Sequence, residues 1–165
     1  MIIDQLSANG YTVSDIFDNT TLDTLIELTD SFDPDRIRPN VRHVKFLKDQ
    51  KIANLLDTSF KHLVGDTHVG IIELWRDYPE YTNLYHIDDS IMSHVLVVYL
   101  DGEDQIDMGT GYIEDKEYKV NYKKNTGLLL LNSDKIQHGM IGKVHDVKYR
   151  KVLYANWLPN KSPSR

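Results

Sequence analysis

The spacing of apolar residues changes near residue 66, from a helical period to one typical of strands. Upstream, Leu22, Leu25 and Ile26 follow the capping side chains of Asn19–Thr21 and predict a first helix. A second helix ending at Gly65 is predicted by residues that recur at steps of three and four: Ile52, Leu55, Leu56, Phe60, Leu63 and Val64. Residues 1–66 are therefore expected to form a helical support region.

From residue 67 onward, short runs rich in β-branched, aromatic and leucine residues predict strands separated by turns. These runs are VGIIELW, TNLYHID, HVLVVYL, GTGYI, EYKVNY, GLLLLN, IQHGMIGKV and KVLYANWL. About eight antiparallel strands are typical of a double-sheet jelly roll. The expected fold is mostly β with N-terminal helices (α+β), a double-stranded β-helix over residues 67–160. The second helix should pack outside one sheet, and Gly127–Leu131 should lie in a central strand buried on both faces.

Composition narrows the possible functions. The chain has 165 residues, a length that suits one domain, and a formal net charge of −6 that argues against nucleic acid as a partner. There is no cysteine, so any metal must be held by histidine, aspartate or glutamate. No run approaches the length of about 20 apolar residues that a membrane span needs. The N-terminus lacks the pattern of a signal peptide, so a cytoplasmic protein with no membrane partner is expected.

Two histidines and one carboxylate suggest a metal site. His86 and Asp88 are two residues apart, so on a strand their side chains would project from one face. His138 follows a long apolar run and precedes Gly139, where close backbone approach is easy. Together they form the ligand set of a facial-triad iron(II) site, although zinc, cobalt, nickel and manganese also bind such groups. The other histidines have settings that favour solvated or structural roles: His43, His62, His68, His94 and His145.

Arg150 is a candidate for anion binding. It lies 12 residues after His138, and a strand, a turn and a returning strand would place it on the adjacent strand, facing the same interior. Its planar guanidinium suits bidentate capture of a carboxylate. The alternative is a surface arginine in a basic run, because Lys148 and Lys151 flank it. A His-x-Asp pair is likewise common on surfaces and in turns.

The acidic stretch that contains Asp101, Glu103, Asp104 and Asp107 has two interpretations. A solvated loop is the simpler one. The other is a mobile rim that selects a basic or polar substrate.

Several short motifs follow one another in a characteristic order. They are an aromatic-rich stretch with His-x-Asp (Leu74–Tyr78, Asn83–Asp88), Val98–Glu103, Gly109–Gly111, Asn125–Asn132, His138-Gly139, and Arg150 with Leu153 and Trp157. In this order the segment from about Glu73 to Leu158 resembles the iron(II)/2-oxoglutarate-dependent oxygenase superfamily, most closely its prolyl-4-hydroxylase-like branch. The chain departs from the pattern in having Pro79-Glu80 where a glycine is common, and in being short.

The resemblance implies a 2-oxoglutarate-dependent non-haem iron(II) dioxygenase (hydroxylase). Iron would be bound by His86, Asp88 and His138, and the distal carboxylate of 2-oxoglutarate by Arg150, helped by Tyr99 or Tyr78. Trp75 and Trp157 are expected to pack in the core. Dioxygen would be the second co-substrate, and the substrate a peptide, a protein residue or a small molecule, with prolyl hydroxylation best supported. Two alternatives stay open: a cupin-like metalloprotein that does not use 2-oxoglutarate, and a non-catalytic jelly-roll binding protein.

Overall fold

The computed structural model describes residues 1–39 and 41–160; the rest of the predicted domain, residue 40 and residues 161–165, lies outside the described residues. The elements in chain order are β1 (Ile2–Gln5), β2 (Gly10–Ser14), α1 (Asn19–Ser31), β3 (Arg36–Arg38), β4 (Arg42–Phe46), α2 (Gln50–Val64), β5 (Thr67–Asp77), β6 (His94–Tyr99), β7 (Gln105–Ile113), β8 (Glu117–Tyr122), β9 (Thr126–Leu131), β10 (Gln137–Met140) and β11 (Arg150–Pro159).

Two antiparallel sheets face each other. The larger has eight strands in the order β1-β2-β9-β6-β11-β5-β4-β3, and the smaller has three in the order β10-β7-β8. The predicted jelly-roll fold is confirmed. Strand β9 is central, as expected: Leu129 belongs to the apolar cluster on the helix side of the large sheet, whereas Leu128 and Leu130 belong to the cluster between the sheets.

The second helix packs on the outside of the large sheet. Asp49 caps its first turn by accepting from Lys51 N and Ile52 N, and Gly65 ends it at φ 67°, a conformation that favours glycine. Its buried stripe of Ile52, Leu56, Phe60 and Val64 joins a cluster with Leu74, Leu153 and Trp157 from the sheet. The predicted helix end and helix position are both confirmed.

The support region contains more than helices. Strands β1 to β4 all come from the first 66 residues and extend the large sheet at both of its edges. Their sequences are short, three to five residues each, and β3 reads only Arg-Ile-Arg, so none carries an alternating apolar pattern long enough to predict a strand. The cap of α1 also differs from the expectation, because Asp18 and not Asn19–Thr21 accepts the hydrogen bond from Thr21 N.

The segment that carries His86 is not a regular strand, although TNLYHID was predicted as one. Its only ladder contact among the described residues is a single antiparallel bridge between His86 and His138. Additional hydrogen bonds tie the segment to the small sheet, such as Met140 N to Asn83 O at 2.8 Å. The segment connects β5 to β6 and is held by these single contacts instead of a continuous ladder.

None of the helices in the described part of the chain is both long and apolar enough to cross a membrane.

Candidate metal centre

Backbone pairing brings His86 and His138 together. His86 N donates to His138 O, and His138 N donates to His86 O, each at 2.9 Å. Directly paired residues point their side chains to the same side, and the two imidazole rings lie 4.7 Å apart between centroids. Strand β10 thus holds His138 and, through this one bridge, also fixes the position of His86.

Asp88 lies on the same segment as His86 and is the third member of the cluster with His86 and His138. Its Oδ1 lies 3.2 Å from His86 Nε2 and its Oδ2 lies 3.2 Å from His138 Nε2. One ligand atom from each of the three residues lies within 4.8 Å of the others. His86 Nδ1 lies 2.9 Å from Leu84 O, so a proton on Nδ1 can be donated to that carbonyl, which would leave Nε2 available to a metal in place of its contact with Asp88. Two imidazole nitrogens and a carboxylate can therefore bind one cation.

The charges in this group are compatible with such a cation. Burial alone would raise the pKa of Asp88, but attraction to His138 and His86 outweighs it and holds the pKa well below its usual range. The hydrogen bond to Asp88 raises the pKa of His86 against the effect of burial. Asp88 Oδ2 is nevertheless buried without a hydrogen-bond partner among the described residues, so its contact with His138 is electrostatic. A buried, ionised oxygen with an unused lone pair suits metal binding.

The three residues line one wall of a cavity of about 370 Å³ between the two sheets. That volume lies in the lower part of the range for small-molecule sites. The remaining lining residues are Arg36, Arg38, Arg42, Phe46, Ile71, Glu73, Trp75, Asn83, Met92, Val97, Thr110, Gly139, Met140, Arg150, Tyr154 and Asn156.

Arg150 reaches this cavity from the opposite sheet. It begins β11 in the large sheet, between β6 and β5, whereas His138 lies on β10 in the small sheet. The expectation that Arg150 lies on the strand adjacent to His138 was wrong, because the chain crosses between sheets after β10. The expectation that both face the same interior is confirmed by their shared cavity. The surface alternative for Arg150 is excluded, since the residue is 2% exposed.

Arg150 forms part of a buried row of charges. In the strand register, Asp77 stands opposite Arg42 on β4 and opposite Arg150 on β11. Arg42 Nη2 donates to Asp77 Oδ2 at 2.9 Å and Arg42 Nε donates to Oδ1 at 2.5 Å. Arg150 Nη2 donates to Asp77 Oδ2 at 2.8 Å, and Nη1 donates to Met108 O at 2.5 Å. The guanidinium of Arg42 also lies 3.6 Å from the centroid of the Trp75 ring.

This row carries one more positive than negative charge. Burial would raise the pKa of Asp77, but the two arginines outweigh it and hold the pKa below its usual range. Asp77 likewise raises the pKa of Arg150, although burial opposes this. Two guanidiniums sharing one carboxylate leave a buried positive charge that a further anion can compensate. Arg42 and Arg150 line the same cavity as the candidate metal ligands, so the row gives this cavity a positively charged floor.

The two candidate tyrosines occupy different positions. Tyr99 is fully buried behind the cavity wall, and its hydroxyl lies 2.5 Å from Thr110 Oγ1, which does line the cavity. Burial raises the pKa of Tyr99, so the phenol keeps its proton, and either hydroxyl can be the donor in its hydrogen bond with Thr110. Tyr78 instead packs its ring against His43 and Tyr149 and is not part of the described cavity lining.

Trp157 is fully buried on the helix side, as expected, whereas Trp75 is buried and also forms cavity wall. Sequence reasoning missed Arg42, Asp77, Thr110 and Glu73. Arg42 lies on β4, which was not predicted, and Thr110 lies on β7. Glu73 and Asp77 alternate with their neighbours on β5, and only this parity could have indicated that they share the inner face of the sheet.

The acidic residues of the stretch Asp101–Asp107 are absent from the described lining of the cavity. Asp101 accepts from the hydroxyl of Tyr122 and lies 3.3 Å from Lys151, while Asp104 accepts from Asn121 at 2.5 Å. Asp107 pairs with His145, which is therefore partly buried rather than exposed in a turn. These contacts favour a structural loop over a rim above the site.

The fold resembles those of several solved oxygenases. A prolyl hydroxylase from Trichoplax adhaerens, solved with a peptide fragment of the hypoxia inducible factor oxygen degradation domain, has a TM-score of 0.72 at 9% identity, over 92% of this chain and 84% of that chain. A prolyl-4-hydroxylase from Pseudomonas putida has a TM-score of 0.71 at 12% identity, over 92% and 93%. HygX from Streptomyces hygroscopicus, solved with nickel and 2-oxoglutarate, has a TM-score of 0.74 at 10% identity, over 93% and 84%.

No protein-family model and no curated protein sequence matches the chain. At these identities the structural likeness establishes the fold. The resemblance predicted from the order of motifs is confirmed at that level: the chain has the fold of the prolyl hydroxylases and related 2-oxoglutarate and iron(II) oxygenases.

Proposed function

We propose that the chain is a 2-oxoglutarate-dependent non-haem iron(II) dioxygenase that hydroxylates its substrate. The observation that carries this proposal is one cavity with a His-Asp-His cluster on one side and a buried, positively charged arginine row on another. A metal-chelating co-substrate with a second, distal carboxylate needs both features in one cavity. Bound iron(II) and 2-oxoglutarate would supply the oxidant: dioxygen contributes one atom to succinate, formed with carbon dioxide, and one to a substrate C–H bond.

The residues that would hold iron are His86, Asp88 and His138. Neutral nitrogen donors and one carboxylate suit iron(II), and a three-residue set leaves coordination positions for co-substrate. Leu84 O fixes the tautomer of His86 by accepting from Nδ1. The buried Asp88 Oδ2, which has no hydrogen-bond partner among the described residues, supports a cation at this position.

The residues that would hold the distal carboxylate of 2-oxoglutarate are Arg150 and Arg42, with Thr110 beside them. Asp77 fixes both guanidiniums by hydrogen bonds, so they are oriented before a ligand arrives. With Tyr99 as the donor to Thr110 Oγ1, the hydroxyl proton of Thr110 would be free to donate to a carboxylate in the cavity. Tyr99 thus acts through Thr110, and the position of Tyr78 does not support a role at this carboxylate.

The substrate is proposed to be a prolyl or other residue of a peptide or protein. Two of the compared structures are prolyl hydroxylases, and one of these holds a peptide fragment. The exposed side chains of Leu84, Ile87 and Ile91 flank the metal ligands at the surface and give a peptide apolar contacts. A small-molecule substrate is the alternative within the same activity.

The decisive experiment adds iron(II) and 2-oxoglutarate to the protein without oxygen. We expect the visible charge-transfer band of the iron-bound 2-oxoglutarate chelate, and succinate formation once oxygen is admitted. Arg150→Met should lose the band at low 2-oxoglutarate concentration. A folded protein with no band and no succinate would exclude this function and leave the cupin-like and non-catalytic alternatives. A proline-containing peptide pool analysed by mass spectrometry for the gain of one oxygen atom then tests the substrate class.

A further inference from the structure

The mouth of the cavity carries a second group of charges, separate from the floor. Arg36 and Arg38 are two residues apart on β3, so both side chains project from the cavity face of the large sheet. Their side chains are 46% and 39% exposed, whereas that of Glu73, which they contact, is 5% exposed. Two accessible guanidiniums are therefore anchored on one buried carboxylate.

Glu73 fixes this group in place. It accepts from Arg36 Nη2 at 3.3 Å and from Trp75 Nε1 at 2.6 Å, and it lies 3.6 Å from Arg38 Nη2. Trp75 in turn stacks on Tyr154 at 4.8 Å between ring centroids. The guanidiniums keep most of their donors free, because one carboxylate cannot satisfy two five-donor groups. The mouth is thus a preoriented group with one excess positive charge.

The remaining charges of the site leave this excess uncompensated. At the floor, Arg42 and Arg150 share Asp77 and have one excess positive charge. A divalent metal bound to Asp88 has another. The two carboxylates of 2-oxoglutarate would neutralise these two charges, and nothing in the co-substrate then balances Arg36 and Arg38. The substrate itself is the group left to do so.

We propose that Arg36 and Arg38 bind a carboxylate of the substrate; this inference rests on the proposed function and names its substrate class. Phe46 and Ile71 line the same mouth and are 37% and 43% exposed, so the substrate carries an apolar group close to its carboxylate. The chain as a whole has a net charge of −6, which makes this mouth a local attraction on a surface that otherwise repels anions. An acidic side chain in a peptide and a small carboxylic acid share this chemistry.

The test compares ligands that differ only in the carboxylate. Capped pentapeptides with a central proline and glutamate on either side are matched by glutamine peptides, and N-acetylproline is matched by its amide. Dissociation constants are measured by calorimetry on the whole protein, with and without nickel(II) and 2-oxoglutarate, because nickel(II) does not support turnover. We expect the acidic member of at least one pair to bind about tenfold more tightly, the scale of a charge-assisted hydrogen bond.

Three variants assign the preference to the mouth. Arg36→Gln with Arg38→Gln should reduce the acid-to-amide ratio to about one. Because this pair of changes leaves Glu73 buried with fewer partners, the triple variant that adds Glu73→Gln removes that cost and should show the same loss. Lys51→Gln with Lys61→Gln is the control: it removes two exposed positive charges from α2, on the other side of the large sheet, and should keep the ratio.

The outcomes distinguish a failure of this inference from a failure of the proposed oxygenase function. A preference confined to the peptides identifies an acidic peptide as the source of the carboxylate, and one confined to N-acetylproline identifies a small acid; either supports the inference. Equal binding of every acid and its amide, or a preference that survives in both arginine variants, overturns it even if the iron(II) chelate band appears. If the preference for acids over amides depends on Arg36 and Arg38 but the chelate band never appears, the carboxylate site is supported and the oxygenase function is contradicted.

Discussion

Arg150 donates two hydrogen bonds to Asp77 Oδ2, from Nη2 at 2.8 Å and from Nε at 3.2 Å. The arginine that the sequence marks as an anion anchor is thus already held by a carboxylate. Arg42 donates to the same side chain from the other side, so the candidate anion site is a pair of guanidiniums around one aspartate. A ligand carboxylate would meet two oriented cations, and neither has to be ordered on binding.

We predict that both arginines contribute to 2-oxoglutarate affinity. Arg150→Met and Arg42→Met should each raise the dissociation constant about 10- to 100-fold, the scale of a hydrogen bond to a charged group. The measurement is calorimetric titration with 2-oxoglutarate in the presence of nickel(II). Arg76→Met is the matched control, because Arg76 precedes Asp77 on β5 but points to the other face, where it donates to Phe32 O. An unchanged constant in Arg42→Met would remove Arg42 from the site.

We predict that Asp77 dominates the stability of the arginine row. Asp77→Asn leaves two buried guanidiniums without an anion, so the free energy of unfolding should fall by about 3–5 kcal/mol. Urea denaturation at pH 7 measures it. Asp35→Asn, which removes a surface partner of Lys45, should have a much smaller effect. Similar losses in the two variants would contradict a buried charge row.

The same residue predicts a pH dependence. The pKa of Asp77 is lowered in the folded protein, because attraction to Arg42 and Arg150 outweighs burial. Its stabilising contribution should therefore be complete above the unfolded-state pKa of about 4 and be lost as pH falls toward the folded-state pKa. In urea denaturation from pH 7 to pH 3, the difference between wild type and Asp77→Asn should stay constant down to about pH 4 and shrink below it. A difference that grows on acidification would reverse the assigned direction.

We predict that Asp88→Asn removes metal binding and leaves the fold intact. Loss of a residue that only hydrogen-bonds to a metal ligand typically lowers metal affinity about 10- to 100-fold. Asp88 is proposed to bind the metal itself and is the one anionic ligand of the set, so its loss should lower metal affinity by more than that range. Titration with iron(II) without oxygen measures the affinity, and circular dichroism checks the fold. The neighbouring, exposed Asp89 offers the control Asp89→Asn, which should bind metal normally. Equal affinity in both variants would disprove the ligand assignment.

We predict that Gly139 is needed for the two histidines to meet. A Cβ at this position would lie 2.6 Å from Asn83 O and 2.8 Å from Tyr85 N, which are backbone atoms that can move only with the segment carrying His86. Gly139→Ala should therefore lower metal affinity about 10- to 100-fold, like other losses of ligand orientation. The control is Gly65→Ala, which strains the end of α2 at φ 67° but meets no atom within 4 Å. It should lower the melting temperature without changing metal affinity.

Much of the site could be chosen from residue types and order. His86, Asp88 and His138 stand out because histidine and carboxylate are the ligand types left in a chain without cysteine, and because strand signals surround these three residues. Arg150 was chosen for its spacing from His138, which predicted the shared interior correctly and the adjacent strand wrongly, because the two residues lie in different sheets. The second helix and β9 were predictable because their apolar patterns are long. The strands β3 and β4 were not, since runs of three and five mostly polar residues carry no periodic signal.

The sequence by itself determined the side chains available to this protein: three candidate metal ligands, a candidate arginine for an anion, and a mostly β chain able to enclose them. Only the tertiary structure decided which arginines pair with which buried carboxylates. Arg42, Asp77 and Arg150 come from strands far apart in the chain and meet because the sheet register sets them in one row. The same register places Arg36 and Arg38 at the cavity mouth. Register depends on which strands pair, and that depends on burying both faces of the sheet at once, a property of the whole chain rather than of any segment.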